Sequence, residues 1–419
     1  MSFDKVINVN VRTAVNNPFS PGSDTVPQVW AGRTDQLADW THVVRPRRVT
    51  GLPERGRTIL GEAGLGKSSL VRRIANQADR AGDWVTPQLR IPSGTDPLKA
   101  VAAAALRLAD QAGLATARER RIGDLLDRVR SVAASGVALT IDKRQGPEPY
   151  AALTDLLVEI GRAAIAARRA VLIHVDEIQN ISTADALSQL LVSLGDVIVH
   201  EVTLTAPGGT EIKSALPIAV YLTGLPDFAE MASARRGATF VRRFATTVLN
   251  PIADDDLVVA LRPWITHGWE VPDDHGGTRR VWMTPDAAAR IVDVCRGEPF
   301  LFQLAGERAW YAGDDDTITT DDVESGWRTA RVEATAHVER ILDRLPARER
   351  QLVDAMAALP PAERTLTTIA GRMGLAEVTQ AGPTAQRLDT ARGIIDRGRP
   401  YTFRHRAVEA YLTSEWPRV

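Results

Sequence analysis

The first candidate chemistry lies in a glycine-rich stretch, Gly61–Ser68, which reads G-x-x-x-x-G-K-S. Its glycines let successive backbone N–H groups turn toward one point, where they can hold a chain of phosphates. In this pattern the catalytic Lys67 reaches the outer phosphates and the hydroxyl of Ser68 binds Mg²⁺. The alternative is an ordinary strand-to-helix turn that is rich in glycine. The predicted phosphate contacts are Gly61, Glu62, Ala63, Gly64, Leu65, Gly66, Lys67, Ser68 and Ser69.

A pair of acids, Asp176 and Glu177, supplies the second candidate chemistry. They follow the mostly apolar run 171–175, which predicts a buried strand with carboxylates at its C-terminal end. After a phosphate-binding loop, such an Asp binds Mg²⁺ directly or through water, and such a Glu deprotonates the attacking water. The alternative is that both acids are structural. His174, inside the same run, is interpreted as a buried histidine of the sheet.

The elements around these residues are the ones needed to position them. A β-prone run, 57–60, precedes the glycine stretch, and apolar residues at helical spacing follow it at 69–75. This alternation predicts an α/β fold, a P-loop NTPase core of the ASCE type with a parallel sheet and helices on both faces. The other predicted elements are strands at 84–91 and 216–226, helices at 97–111, 115–135 and 150–168, and a hairpin at 197–215 that starts with Val197 and Val199.

Beyond residue 250 the pattern changes to helices. Asp254 is predicted to cap a helix that ends or kinks at Pro263, because proline disrupts a helix interior. Further helices are predicted at 285–295, from Pro299 onward, and at 347–358, 365–374 and 383–392, followed by a strand–turn–strand at 394–404. The last of these form a helix-turn-helix with a wing. The predicted domains are 1–44 (extended lead-in and first helix), 45–250 (core), 251–333 (helical lid) and 334–419 (winged helix).

The order of these motifs resembles that of the AAA+/STAND-related P-loop ATPases, near the replication-initiator and archaeal-type ATPase groups, over about residues 17–415. The resemblance implies nucleotide contacts from Trp30 and Arg33, because Trp30-Ala31-Gly32-Arg33-Thr34 stands where F-V-G-R-E is usual. It also implies that Pro299, in a Gly-x-Pro motif, packs against the adenine. Thr223 corresponds to sensor 1, a polar residue that helps to position the attacking water.

Two further roles follow from the same resemblance. Arginines at 235, 236, 242 and 243 precede the run 244–249, and an arginine at this place acts on the γ-phosphate of a neighbouring subunit. Arg243 is the first choice for this arginine finger and Arg242 the second; the alternative is a set of surface arginines. Phe300 stands where replication initiators carry a sensor 2 arginine. Arg308, two turns further along, could substitute for it only if its helix faces the site, so slow turnover is expected.

The C-terminal segment is the candidate for DNA binding. From Glu333 to Val419 it carries 13 Arg, no Lys and 11 Asp plus Glu, which is a net charge of +2. Arginines on the presumed recognition helix and wing could contact phosphates of duplex DNA. The alternative is a winged helix that serves packing and autoinhibition without touching DNA. The predicted DNA contacts are Arg387, Arg392, Arg397, Arg399 and Arg404.

Composition excludes several other classes of protein. The chain has 419 residues, of which 44% are hydrophobic and 25% are charged, and its net charge is −1, so no global field attracts nucleic acid or membrane. Cys295 is the only cysteine, which rules out an intrachain disulfide and a zinc site built on cysteines. No apolar run approaches the roughly 18 residues of a membrane span, and no signal-peptide pattern is present. A cytoplasmic location is expected.

The sequence therefore predicts a switch that binds ATP or ADP with Mg²⁺, hydrolyses ATP slowly, binds double-stranded DNA through its winged helix, and assembles with neighbours. The alternative is a STAND-like signalling ATPase that regulates a partner protein, for example in anti-phage defence, without direct DNA binding. A third hypothesis, a small-molecule kinase, leaves the C-terminal segment without a role.

Overall fold

The computed structural model describes residues 11–22, 25–92, 94–114, 149–181, 184–228, 242–272 and 277–418. The chain divides into two compact units. Unit 1 comprises Met1–Arg33, Glu62–Ser69 and Asn250–Val419, and unit 2 comprises Thr34–Gly61 and Leu70–Leu249. The predicted helix at 115–135 and the arginines 235 and 236 lie outside the described residues.

A parallel sheet forms the centre of unit 2. Within the described residues its strand order is β2-β4-β7-β1-β8, with β3 also paired to β4, and every pairing is parallel. The three strands in the middle of the sheet, β4, β7 and β1, are buried along their whole length. The strands are β1 Gly56–Leu60, β2 Trp84–Val85, β3 Leu89–Arg90, β4 Val171–Asp176, β7 Ile218–Gly224 and β8 Phe244–Val248.

Helices flank this sheet, as the α/β prediction requires. The buried side chains of α4, α5 and α6 form one apolar core with those of β4 and β7. Asp96 caps α4, since its carboxylate accepts hydrogen bonds from the backbone N–H groups of Leu98 (2.9 Å) and Lys99 (3.3 Å). The helices are α1 Thr34–Asp39, a π-helix Trp40–Val44, α2 Arg45–Val49, α3 Lys67–Arg80, α4 Pro97–Gln111, α5 Pro149–Ala167 and α6 Ala184–Val199.

Two details of unit 2 differ from the prediction. The hairpin consists of β5 (Glu201–Thr205) and β6 (Glu211–Ala215), so starting it at Val197 was wrong. Valine favours strands only where the surroundings suit it, and Val197 and Ile198 are buried as part of helix α6, which continues to Val199. The predicted strand 84–91 is split into β2 and β3 around Pro87, which has no N–H group to give to a sheet.

The part of unit 1 between Asp254 and Asp343 consists of helices and a three-stranded sheet. The N-cap of helix α7 (Asp254–Thr266) is Ala253, one residue before the predicted cap at Asp254. The helix continues through Pro263. Leu257, Leu261 and Trp264 are fully buried on one face, so packing of the last turn outweighs the cost of the proline. The other elements are β9 Trp269–Pro272, β10 Thr278–Met283, α8 Pro285–Cys295, α9 Pro299–Ala312, β11 Thr317–Ile318 and α10 Thr320–Asp343.

The C-terminal part of unit 1 has the elements in the predicted order. Helices α11 (Ala347–Ala357), α12 (Leu366–Arg372) and α13 (Gly382–Thr390) precede a two-stranded antiparallel sheet. That sheet consists of β12 (Ile395–Asp396) and β13 (Thr402–Phe403), and α14 (Arg406–Thr413) follows it. Across the helices that the structure describes, none has the length and apolar character needed to cross a membrane.

Candidate functional site

The carboxyl edge of the sheet in unit 2 collects the predicted acidic residues. Because β4, β7 and β1 are parallel neighbours, their C-terminal ends meet at one edge. Asp176 is the last residue of β4, Glu177 follows it, and Thr223 is the next-to-last residue of β7. The chain leaves β1 at this same edge through Gly61, whose N–H donates to the carbonyl oxygen of Gly224 (3.2 Å).

The carboxylate of Asp176 is fully buried and is held by polar groups on both oxygens. The hydroxyl of Thr223 and the backbone N–H of Glu177 (3.1 Å) donate to Oδ1. The side-chain amide of Gln88 donates to Oδ2, and Arg90 Nε lies 3.6 Å from the same oxygen. A buried charge is tolerated only with such partners. The sequence reasoning did not single out Gln88 and Arg90, although the predicted strand 84–91 contains both.

His174 supports this arrangement from inside the sheet. Its Nε2 lies 3.3 Å from the hydroxyl oxygen of Thr223, and the side chain is buried. Burial lowers the pKa of His174 to about 4, against a smaller opposing effect from the charge of Asp176. The imidazole is therefore neutral near pH 7 and positions the threonine hydroxyl that binds Asp176.

Glu177 has an unusual backbone conformation, with φ of 56° in the left-handed region. Such a conformation in a residue other than glycine costs free energy and is concentrated at functional sites. Gln179 donates its amide N–H to Glu177 Oε2 and accepts a hydrogen bond from the backbone N–H of Leu225 (3.1 Å). The candidate base is thus tied to the segment that follows β7.

The phosphate loop, Glu62–Ser69, belongs to unit 1, and Lys67 begins helix α3. Gly64 and Gly66 have φ values of 86° and 79°, which glycine adopts without strain. Lys67 Nζ donates to the carbonyl oxygen of Glu62 (3.0 Å), and the side chain of Leu65 is fully buried. The N-terminus of a helix favours anions, so a phosphate here would meet both the helix dipole and the lysine.

Of the residues predicted from the lead-in and the Gly-x-Pro motif, Arg33 and Pro299 lie near the phosphate loop, whereas Trp30 binds within its own segment. Arg33 Nη2 donates to the carbonyl oxygen of Leu65 (2.9 Å), and burial lowers the pKa of Arg33 to about 10 despite the opposing charges of Glu298 and Asp256. Trp30 Nε1 instead donates to the carbonyl oxygen of Gly32 (2.9 Å). Pro299 begins α9, and its Cβ lies 3.9 Å from the point where a Cβ on Gly66 would lie.

Unit 1 adds contacts to the loop that the sequence did not predict. The backbone N–H of Phe300 donates to the carbonyl oxygen of Gly64 (3.2 Å). Arg344, directly after α10, forms an ion pair with Glu62 (2.6 Å). His337, two turns earlier on α10, lies against Gly64. The guanidinium of Arg308, on α9, forms an ion pair with Glu333 of α10.

The candidate arginine fingers lie at the opposite edge of the sheet in unit 2. Arg243 directly precedes β8, and its carbonyl oxygen accepts a hydrogen bond from the N–H of Gly56, the first residue of β1. Its guanidinium forms an ion pair with Asp196 of α6, and Arg242 is exposed. At about 3.3 Å per strand residue, Arg243 is roughly 20 Å from the edge where Asp176 lies.

Four of the five candidate DNA contacts are paired within the C-terminal part of unit 1. Arg387 Nε and Arg392 Nε bind the two oxygens of Glu349, each at 2.9 Å. Arg392 is also buried, so it cannot contact phosphate, and that prediction is corrected. Arg397 binds Asp389 (3.0 Å), Arg404 binds Asp389 and Asp396, and Arg399 is exposed.

The groups suited to hold a metal are oxygens. Ser68 and Asp176 offer a hydroxyl and a carboxylate, which Mg²⁺ prefers as ligands, usually together with water and phosphate oxygens. In the described part of the chain, no group of three or more His, Cys, Asp and Glu side chains could hold a metal ion.

Comparison with known proteins agrees with this architecture. Residues 29–199 match the family model described as an AAA ATPase domain. Comparison with curated protein sequences gives no match.

Among solved structures, the chain is similar to Aeropyrum pernix ORC2, solved as ADPNP–ADP complexes, at 17% identity and a TM-score of 0.50, covering 90% of this chain and 93% of that chain. It is also similar to Cdc6p of Pyrobaculum aerophilum, at 15% identity and a TM-score of 0.45, covering 94% and 96%. A RuvB variant of Thermotoga maritima matches at 15% identity and a TM-score of 0.39, covering 92% and 96%. At such identities, structural similarity concerns the fold alone.

The parallel sheet and the phosphate loop agree with the match of residues 29–199 to the AAA ATPase domain, and the fold is similar to that of Aeropyrum pernix ORC2.

Proposed function

We propose that this protein is a nucleotide-dependent switch that binds ATP and ADP and hydrolyses ATP slowly. The observation that carries the proposal is the carboxyl edge of the sheet, where Thr223 donates to the buried Asp176, Glu177 follows, and β1 leads into the phosphate loop. A glycine-rich turn with a purely structural role would not require a buried aspartate and a neighbouring glutamate at that edge of the sheet.

In the proposed chemistry, the backbone N–H groups of the loop and the ammonium group of Lys67 hold the phosphates. Ser68 and Asp176 would hold Mg²⁺, which supplies charge neutralisation between the outer phosphates when it is bound. Glu177 accepts the proton of the attacking water, and Thr223 keeps Asp176 in place.

We expect a single chain to hydrolyse ATP slowly because of two residues, Phe300 and Arg243. Phe300 carries no charge, and Arg243 lies at the far edge of the sheet and is paired with Asp196. An arginine finger is worth about 10³–10⁵ in turnover where it acts. We propose that Arg243 acts on a neighbouring subunit after self-association, and that the isolated chain turns over slowly.

The test uses two variants with different expected results. Lys67→Ala removes the phosphate-binding ammonium group, so affinity for both ATP and ADP should fall by at least tenfold in calorimetric titration. Glu177→Gln keeps nucleotide affinity and should reduce release of inorganic phosphate about 100-fold or more, because general base catalysis contributes about 10²–10⁴. Unchanged affinity in Lys67→Ala would remove the loop assignment, and full turnover in Glu177→Gln would remove the base.

For the C-terminal segment, the salt bridges favour the signalling alternative over DNA binding. Each guanidinium paired with a carboxylate must give up that partner before it can bind a phosphate, and Glu349 and Asp389 each hold two arginines. DNA-binding domains usually show a clear basic footprint, whereas the net charge of this segment is only +2. We therefore propose that the segment regulates a partner protein through the nucleotide state.

A gel-shift with duplex DNA separates the two hypotheses. At low salt, with and without ATP, the signalling hypothesis predicts no shift of the intact protein. If a shift appears, the triple substitution of Arg397, Arg399 and Arg404 to Ala should weaken it and reduce its dependence on salt. That result would establish the DNA-binding hypothesis in place of the signalling one.

A further inference from the structure

His337 occupies a position that no motif assigns. It lies on helix α10, a helix of 24 residues, and only 4% of its surface is exposed. If Gly64 carried a Cβ, that atom would lie 2.5 Å from Cε1 and 3.2 Å from Nδ1 of His337. The Cε1–Nδ1 edge of the imidazole therefore faces the middle of the phosphate loop at close contact.

The other side of the imidazole faces a buried carboxylate. His337 Nε2 lies 3.7 Å from Glu298 Oε2, and among the described residues neither atom has a hydrogen-bond partner. Glu298 is completely buried, and its Oε1 accepts a hydrogen bond from His405 Nδ1 (2.7 Å). Burial alone would raise the pKa of Glu298, but His405 and His337 outweigh it and lower that pKa to about 2. A fixed negative charge thus lies behind the imidazole.

Phe300 keeps the ring in this orientation. Its ring centroid lies 5.1 Å from that of His337, and its backbone N–H donates to the carbonyl oxygen of Gly64 (3.2 Å). Lys67 Nζ lies at the carbonyl oxygen of Glu62, two residues before Gly64, and a P-loop lysine binds the outer phosphates. His337 therefore contacts the loop two residues from the carbonyl group that Lys67 Nζ binds.

We propose that His337 is a positioning residue for the terminal phosphate of ATP, which it binds through Nδ1 while Glu298 faces Nε2 on the other side of the ring. The inference rests on the proposed nucleotide binding and deepens it. The phosphate contact that a sensor 2 arginine would supply comes here from α10, because the side chain of Phe300 has no polar group. ADP lacks the phosphate that His337 binds, so His337 makes the chain discriminate between the two nucleotides.

The experiment compares affinities for the non-hydrolysable analogue ADPNP and for ADP, both with Mg²⁺, by calorimetric titration of the full chain. His337→Phe fills a similar volume and keeps a ring against Phe300, but it removes both nitrogens. We expect about a tenfold loss of ADPNP affinity, the scale of a charge-assisted hydrogen bond, with ADP affinity changed by less than twofold. His337→Asn places an amide nitrogen near the position of Nδ1 and should keep most of the preference.

Two controls separate this inference from its alternatives. Val338→Ala trims a fully buried neighbour on the same helix and should leave the ratio of the two affinities unchanged. If His337→Phe weakens both nucleotides equally, leaves both unchanged, or is matched by Val338→Ala, the role of His337 is overturned while nucleotide binding stands. If the unmodified chain binds neither nucleotide, the proposed function fails, and the inference fails with it.

Discussion

Replacing Glu298 with alanine tests whether the buried charge cluster of unit 1 stabilises the fold. Glu298 is completely buried, and its carboxylate binds His405 at 2.7 Å and lies 3.7 Å from His337. Glu298→Ala removes the carboxylate that both imidazoles face, and it leaves His405 without its counter-charge in an apolar surrounding. The two histidines come from α10 and from the residue that precedes α14, so the change affects how these two segments pack.

The structure gives the expected magnitude in two ways. Removing one partner of a buried ion pair costs about 3–5 kcal/mol, because the other charge stays buried without compensation. Independently, the pKa of Glu298 is lowered from 4.5 to about 2. At about 1.4 kcal/mol for each pKa unit, that shift corresponds to roughly 3 kcal/mol. We therefore expect Glu298→Ala to lower the free energy of unfolding by about 3 kcal/mol.

The contribution of the cluster depends on pH in a defined direction. Because the pKa of Glu298 is lowered in the folded chain, its contribution is complete above about pH 4.5 and is lost as the pH falls through about 2. Burial lowers the pKa of His405, but Glu298 outweighs that effect and raises it above 6.5. The contribution of His405 is therefore complete below pH 6.5 and is lost as the pH rises through the raised value. The difference between wild type and Glu298→Ala should be largest between about pH 4.5 and 6.5.

Urea denaturation followed by tryptophan fluorescence measures this difference. Seven of the nine tryptophans belong to unit 1, since only Trp40 and Trp84 lie in unit 2, so the signal reports mainly on the affected unit. A double-mutant cycle with His405→Ala isolates the pair, and the double variant should lose much less than the sum of the single losses. Additive losses, or a single loss below about 1 kcal/mol, would refute the reasoning.

Two further predictions concern the loop and the arginine finger. Gly64→Ala should lower the free energy of unfolding by more than Gly374→Ala does. Both glycines have positive φ, so either substitution costs about 1–2 kcal/mol in strain, but a Cβ on Gly64 also meets His337 at 2.5 Å. Equal losses of stability in thermal or urea denaturation would contradict this contact. Arg243→Ala should leave ATP affinity unchanged and reduce phosphate release. Asp196→Ala removes the ion pair but keeps the guanidinium, so it should leave phosphate release unchanged. Loss of turnover in both variants would indicate a structural role for Arg243.

The parts of the fold that could be predicted are those that short stretches of sequence determine. The apolar run before Asp176 is a buried strand, and Pro285–Cys295 is a helix, because local periodicity and proline at the first turn are sufficient signals. Neither a strand at Val197 nor a helix end at Pro263 occurs in the structure, and the two differences have one cause. In both places the burial of one face extended a helix beyond the point where the residue type favours its end.

The contacts of the loop could not be predicted, because they join residues that are far apart in the chain. Nothing near His337 indicates that it meets Gly64, and a single histidine on an amphipathic helix is usually part of a core. The charges of the C-terminal segment show the same limit. Counting gave a net charge of +2, but only the structure shows that Glu349 and Asp389 each hold two arginines.

The ion pair between Glu62 and Arg344 has a consequence for the synthesis of the protein. The two residues are separated by 282 positions, and at about 5–20 residues per second the ribosome needs roughly 15–55 s to make the second after the first. For most of that time the phosphate loop exists without α9 and α10, which contact it in the finished chain. Unit 1 must therefore complete its folding late in synthesis, and a ribosome that stalls after residue 250 leaves a nascent chain whose loop is uncovered.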